Sequence, residues 1–151
     1  NYLKPKESPD AWVVEVVNTM KTGDCDKLEK LLTSFFASIP YSQRRKDDER
    51  EKERYFQYTF YLVIRMISSF TVLIEKEQSG GRVDCIIEAP MFVYIFEFKR
   101  DGSATEALKQ IEEKGYAREY ATDNRTIYLI GCNFSSKTGT IDDWKSKGKS
   151  V

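Results

Sequence analysis

The sequence predicts an α/β fold, a mixed β-sheet flanked by helices, and three observations predict it. Three strand-like runs, Thr71–Glu77, Arg82–Glu88 and Phe92–Lys99, follow one another with only turn signals between them. A helix pattern then opens at Ser103 and closes at Gly115. A fourth apolar run, Thr126–Cys132, comes after that helix. Three adjacent strands, a crossover helix and a further strand make a mixed sheet with helices packed on it.

The elements can be justified in chain order. Residues 1–9 contain Pro5 and Pro9 and read as an irregular lead-in. From Asp10 to about Met20, Trp12, Val13, Val16 and Val17 recur at helical spacing. Asp24 or Asp26 caps a second helix, whose Leu28, Leu31, Leu32, Phe35, Phe36 and Ile39 form one apolar face ending before Pro40. Both helices read as packing or linking elements. Residues 44–54 are a mixed charge run with opposite charges at i,i+4, the solvated start of a long helix. It turns apolar through Tyr55, Phe56, Phe60, Leu62, Val63, Met66 and Ile67. Its aromatics, Tyr58 and Tyr61 included, read as packing groups rather than base-stacking ones.

In Thr71–Glu77 the acids Glu75 and Glu77 read as surface positions. Gly80-Gly81 is a turn. Arg82–Glu88 alternates, with Val83, Cys85 and Ile87 on one face and Asp84, Ile86 and Glu88 on the other. Phe92–Lys99 is apolar almost to its end. Ser103 with Glu106 is a capping box, and Ala107, Leu108 and Ile111 form the stripe of the helix it starts. After Phe134 the sequence is rich in Ser, Lys, Gly and Thr and reads as a tail, with Ile141 and Trp144 as docking residues.

Composition removes several chemistries. The 151 residues suit one ordinary domain, and there is no histidine. That excludes Ser-His and Cys-His nucleophiles and an HExxH zinc site. A general base must be a carboxylate, lysine, tyrosine or bound water. A metal would be held by oxygen, which favours magnesium, manganese or calcium. Basic and acidic side chains number 24 each, so any nucleic-acid binding must be local to a cleft. Cys25, Cys85 and Cys132 form no CxxC pair and read as small buried hydrophobes in a reducing, cytoplasmic setting. No run is long and apolar enough to span a membrane. The chain opens on Asn1 and has no glycine-rich phosphate loop, so a fragment of a longer protein is expected.

One constellation carries chemistry. Period-two geometry puts Glu97 and Lys99 on the same face of their strand as Val93 and Ile95, with Phe96 and Phe98 on the other. A strand this apolar is covered on both sides, where a carboxylate and an ammonium are costly unless paired or metal-bound. The short connection at Pro90-Met91 makes the second and third strands antiparallel neighbours, bringing Asp84 close to Glu97 and Lys99. Two converging carboxylates repel, and a divalent cation is the economical remedy. The lysine can orient or deprotonate a water, or neutralise developing charge. This is the chemistry of metal-assisted phosphodiester hydrolysis.

Asp84, then twelve intervening residues, then Glu97-Phe98-Lys99, resembles the bipartite signature of the PD-(D/E)xK nuclease superfamily, whose fold is a restriction-endonuclease-like αβββαβ core. The stretches Gly81–Asp84, Ile95–Lys99, Asp101–Ala104, Ala107–Ile111, Lys114–Tyr116 and Gly131–Phe134 look like the nuclease-like C-terminal domain of bacterial proteins with an AAA-type ATPase-like N-terminal half. The resemblance implies a nuclease-like domain over residues 43–151 and a helical extension over residues 1–42 that links to a missing ATPase-like domain. It implies Asp84 and Glu97 as ligands for Mg2+ or Mn2+, Lys99 as catalytic lysine, and Gln110 near the phosphates. Glu53 would be an accessory metal acid, with Gln57 one turn on. The implied partner is nucleic acid, with DNA favoured. The superfamily's Pro before the Asp is Val83 here, a departure that leaves the ligands intact. Arg82 and Lys109 read as ordinary solvated charges that could reach phosphates. The contrasting reading is a non-catalytic interaction or nucleic-acid-binding module that keeps the fold.

Overall fold

The computed structural model describes residues 9–37, 70–76 and 82–149, and of residues 9, 10, 74–76, 82–84 and 149 the backbone. Along the chain come α1 (Pro9–Thr22), α2 (Cys25–Ala37), β1 (Thr71–Lys76), β2 (Arg82–Glu88), β3 (Phe92–Arg100) and α3 (Ala104–Lys114). A short 3-10 helix (Tyr116–Tyr120), β4 (Thr126–Ser135) and β5 (Thr140–Lys149) follow. The strands form one sheet in the order β1-β2-β3-β4-β5. Among the described strands the β3–β4 pair is parallel and the other three pairs are antiparallel. The expected mixed sheet flanked by helices is what the structure shows, consistent with a restriction-endonuclease-like fold.

β3 lies at the centre and alternates between two cores. Tyr94, Phe96 and Phe98 pack with Ile130, Cys132 and Phe134 of β4 and with Val16, Met20, Leu28, Leu32 and Phe36 of α1 and α2. Val93 and Ile95 pack on the opposite face with Ile127, Leu129, Ile111 and Tyr120. Each fully buried large side chain of these layers contributes on the order of 1.5–3 kcal/mol. The Tyr94 hydroxyl, whose pKa burial pushes up, donates to the Met20 carbonyl at 2.6 Å and pins α1 to the sheet. α1 and α2 therefore share one core with the strands. The boundary expected near residue 42 lies outside the described residues, as do the charged helix around residues 44–68, its aromatics, Glu53, Gln57, Glu77 and the Gly80-Gly81 turn.

Local signals set the helix ends. Asp24 caps α2, its Oδ1 accepting from the Lys27 amide at 3.1 Å. Ser103 caps α3, its hydroxyl oxygen accepting from the Glu106 amide at 3.1 Å. Gly115 ends α3 with φ +70°, a left-handed conformation that glycine adopts without a Cβ penalty.

The expected tail after Phe134 is a correction. It is the ten-residue edge strand β5, paired with β4 from Ile127 to Ser135. A bulge between Asn133 and Phe134 leaves Asp142 outside the register, so Ile141 and Trp144, three residues apart, pack into the same core. That irregularity breaks the period-two pattern. Lysines at 145, 147 and 149, typical of a protected edge, complete the disguise.

Candidate active site

Glu97 is the focus of the site. It belongs to the α3 face of β3 and has no solvent exposure. The antiparallel register sets Asp84 directly opposite it, and the parallel register sets Gly131 on its other side. The same row continues to Glu75 on β1 and to Lys145 on β5. Directly opposed residues share a face of the sheet, so three adjoining strands contribute acids to one row. Glu75, read as a surface position from sequence, belongs to that row by its register.

Gly131 decides how closely α3 covers this row. A Cβ built there would lie 2.4 Å from the Ala104 carbonyl oxygen and 2.8 Å from the Leu108 amide nitrogen. Helix backbone thus fills the space a side chain would need. The start of α3 is fixed by β4 and β5. The Gly102 amide donates to Asn133 Oδ1 at 2.7 Å, and Asn133 Nδ2 donates to Asp142 Oδ1 at 2.9 Å. The Ala104 amide donates to Asp143 Oδ2 at 2.8 Å. Asn133, Asp142 and Asp143 have no separate signature in the sequence; their role depends on the β5 pairing.

Lys99 is the next residue on Glu97's face, half-buried, with Arg82 and Asn133 as register partners. Its stem passes beside Gly102, where a Cβ would meet Lys99 Cδ at 3.3 Å and Glu106 Oε1 at 3.1 Å. Gln110 is half-buried on α3, one turn before Lys114 and on the same side of the helix. Lys114, to which the sequence reading gave no role, sends its ammonium to Glu97, 3.8 Å from Oε1. The structure thus brings Asp84, Glu97 and Lys99 to one region of one face, with Gln110 on the helix that covers it. Glu53 lies outside the described residues.

The donor chemistry fits a hard divalent cation. Carboxylates stand at two adjoining register positions, and magnesium is commonly bound by one or two carboxylates together with substrate phosphates. Soft donors lie elsewhere: Cys25, Cys85 and Cys132 are buried and packed in the α1–α2 core. Burial pushes the Cys25 thiol up to about 12 and raises that of Cys132, which keeps both protonated. Among the described residues no three His, Cys, Asp or Glu groups converge as a ready ligand set; Glu53 and the side chains of Glu75 and Asp84 are not among those described.

A family model described as the PD-(D/E)XK nuclease superfamily matches residues 51–144. The chain belongs to that superfamily. The match spans every strand of the sheet through Trp144 and includes Asp84, Glu97, Lys99 and Gln110. Membership points to a nuclease-like function, and PD-(D/E)XK nucleases typically use divalent metals. The chain is also 32% identical over 142 residues to a curated Azotobacter chroococcum mcd 1 protein described as an uncharacterized protein in the vnfD 5' region. The match covers 93% of this chain and 27% of that relative, so the chain spans about a quarter of its length. No solved structure matches. No helix among the described residues is long and apolar enough to cross a membrane.

Proposed function

We propose that the chain is a metal-dependent nuclease domain that hydrolyses phosphodiester bonds of nucleic acid, with DNA as its substrate. One observation carries this reading: a fully buried carboxylate, Glu97, stands opposite Asp84 with Lys99 next on its face. A buried acid is costly to keep, and such departures from core-building rules concentrate at functional sites. Asp84 and Glu97 would hold Mg2+ or Mn2+, with Glu53 as accessory acid. The ion, when bound, supplies charge stabilisation at the phosphate and an acidified water. Lys99 orients the attacking water or neutralises charge developing on the phosphate. Gln110 donates a hydrogen bond to a phosphate oxygen. The zero net charge confines substrate binding to this cleft. An ATPase-like domain in the same polypeptide belongs to this reading, supported by the string of motifs from Gly81 to Phe134 and by the greater length of the relative. A cytoplasmic setting suits three buried cysteines.

The test is cleavage of DNA by the purified protein with added Mg2+ or Mn2+, beside Lys99→Ala and Asp84→Ala. Cleavage is expected from the wild type with metal, and from neither variant. Cleavage that survives both substitutions overturns the reading.

The ion pair between Lys114 and Glu97 favours a second reading, a non-catalytic nuclease-like module that binds nucleic acid or a partner. Lys114 would then serve as a counter-charge of the buried acid. Calorimetric titration with Mn2+ separates the two, since a retired site takes up no divalent cation.

A further inference from the structure

Lys114 occupies an unusual position for a surface-helix lysine. It sits in the last turn of α3, where the helix dipole favours a cation, and Gly115 ends the helix immediately after it. Its ammonium lies 3.8 Å from Oε1 of the fully buried Glu97, while its own side chain keeps 25% exposure. It also lies 5.6 Å from the centre of the Tyr116 ring, within range of a cation–π contact. The separation from Glu97 exceeds that of a direct hydrogen bond, so the attraction is chiefly that of charge for charge. The lysine therefore has a buried anion, an aromatic ring and water all within reach.

We infer that Lys114 is a positioning residue that stands in for the metal: its ammonium neutralises and holds Glu97 in the metal-free protein, and gives way toward Tyr116 and solvent when the divalent ion binds. This rests on the reading of Asp84 and Glu97 as metal ligands. Two physical consequences follow. Without the ammonium, Glu97 is a buried charge with less compensation, so the metal-free fold weakens. The ammonium also repels an incoming cation, so its removal strengthens metal binding.

The test compares wild type, Lys114→Met and Lys114→Arg by thermal unfolding without metal and by calorimetric titration with Mn2+ alone. Lys114→Met keeps the length of the side chain and removes the charge. It is expected to lower the metal-free Tm by about 5 °C. It is also expected to tighten Mn2+ binding by about tenfold, the sign a purely structural lysine would not give. Lys114→Arg keeps both properties near wild type. Introduced into Glu97→Gln, Lys114→Met lowers the Tm far less, because the charge it served is gone. An equal Tm loss in both backgrounds overturns the inference, as does unchanged or weaker Mn2+ affinity in a variant whose wild type binds Mn2+. A wild type that binds no Mn2+ overturns the nuclease reading itself, and this inference with it.

Discussion

Gly131 stands beside Glu97 in the parallel pairing of β3 with β4, and the side chain it lacks is what lets α3 lie over that carboxylate. The helix then delivers Lys114 to Glu97 and carries Gln110 on the turn before it. Sequence, packing and site meet here, because a residue with no chemistry of its own sets the distance between the helix and the row of acids.

Gly131→Ala is expected to cost stability and function together. The new methyl would meet the Ala104 carbonyl and Leu108 amide, both backbone, so α3 must move as a unit. Overpacking of this kind costs about 1–3 kcal/mol. Urea unfolding reads the loss, and DNA cleavage per folded molecule should fall as well. A variant with wild-type midpoint and activity would show that α3 is not held at this distance.

Glu97→Gln is expected to separate stability from function. It keeps the shape and removes a fully buried charge, so the metal-free Tm should stay level or rise. Mn2+ uptake and cleavage should be lost. A strongly reduced Tm would instead make Glu97 a structural anchor.

Asn133 and Asp143 tie the turn before α3 and its first amides to β4 and β5. Asp143→Ala removes an acceptor from a helix N-terminus, at about 1 kcal/mol. Asn133→Ala leaves the Gly102 amide and Asp142 without their buried partner, at about 1–3 kcal/mol. Chemical denaturation checks both, with Asn133→Ala the larger effect.

A second charged group braces the opposite end of the sheet and titrates in acid. The Arg125 guanidinium donates from Nε to Asp123 Oδ1 at 2.9 Å and from Nη2 to Asp123 Oδ2 at 2.6 Å. It also reaches Glu88 Oε1 at 3.2 Å, and the Tyr120 hydroxyl donates to Glu88 Oε2 at 2.9 Å. Hydrogen bonds from Arg125 hold the Asp123 carboxyl down at about 2, below the ordinary 3.8. A depressed folded-state pKa gives stability that is complete above the unfolded value and disappears as pH falls through the folded one. The stability gap between wild type and Asp123→Asn should therefore be full at pH 5 and close between about pH 4 and 2. Urea midpoints across that range provide the check; a gap independent of pH would contradict the assignment.

The sheet from Thr71 to Phe134 was legible because its strands are apolar and its turns carry Gly, Pro and Asp at the breaks. The opposition of Asp84 and Glu97 followed from one short hairpin. β5 was not legible, because an edge strand faces water on one side and its bulge puts Ile141 and Trp144 out of phase. Lys114 was hidden for a different reason. Nothing in its own neighbourhood shows that Gly131, seventeen residues on, admits α3 close enough to Glu97 for the lysine to reach it. Glu75 likewise depends on the β1–β2 register, which periodicity within one strand does not specify.

On the proposed function, Asp84 and Glu97 share one divalent cation. A crystal of the protein soaked in Mn2+ and measured at the manganese absorption edge tests it most directly. An anomalous peak is expected between the facing positions of β2 and β3, in direct contact with both carboxylates. A Mn2+-saturated protein with no peak there, or with its manganese bound only elsewhere, would contradict it.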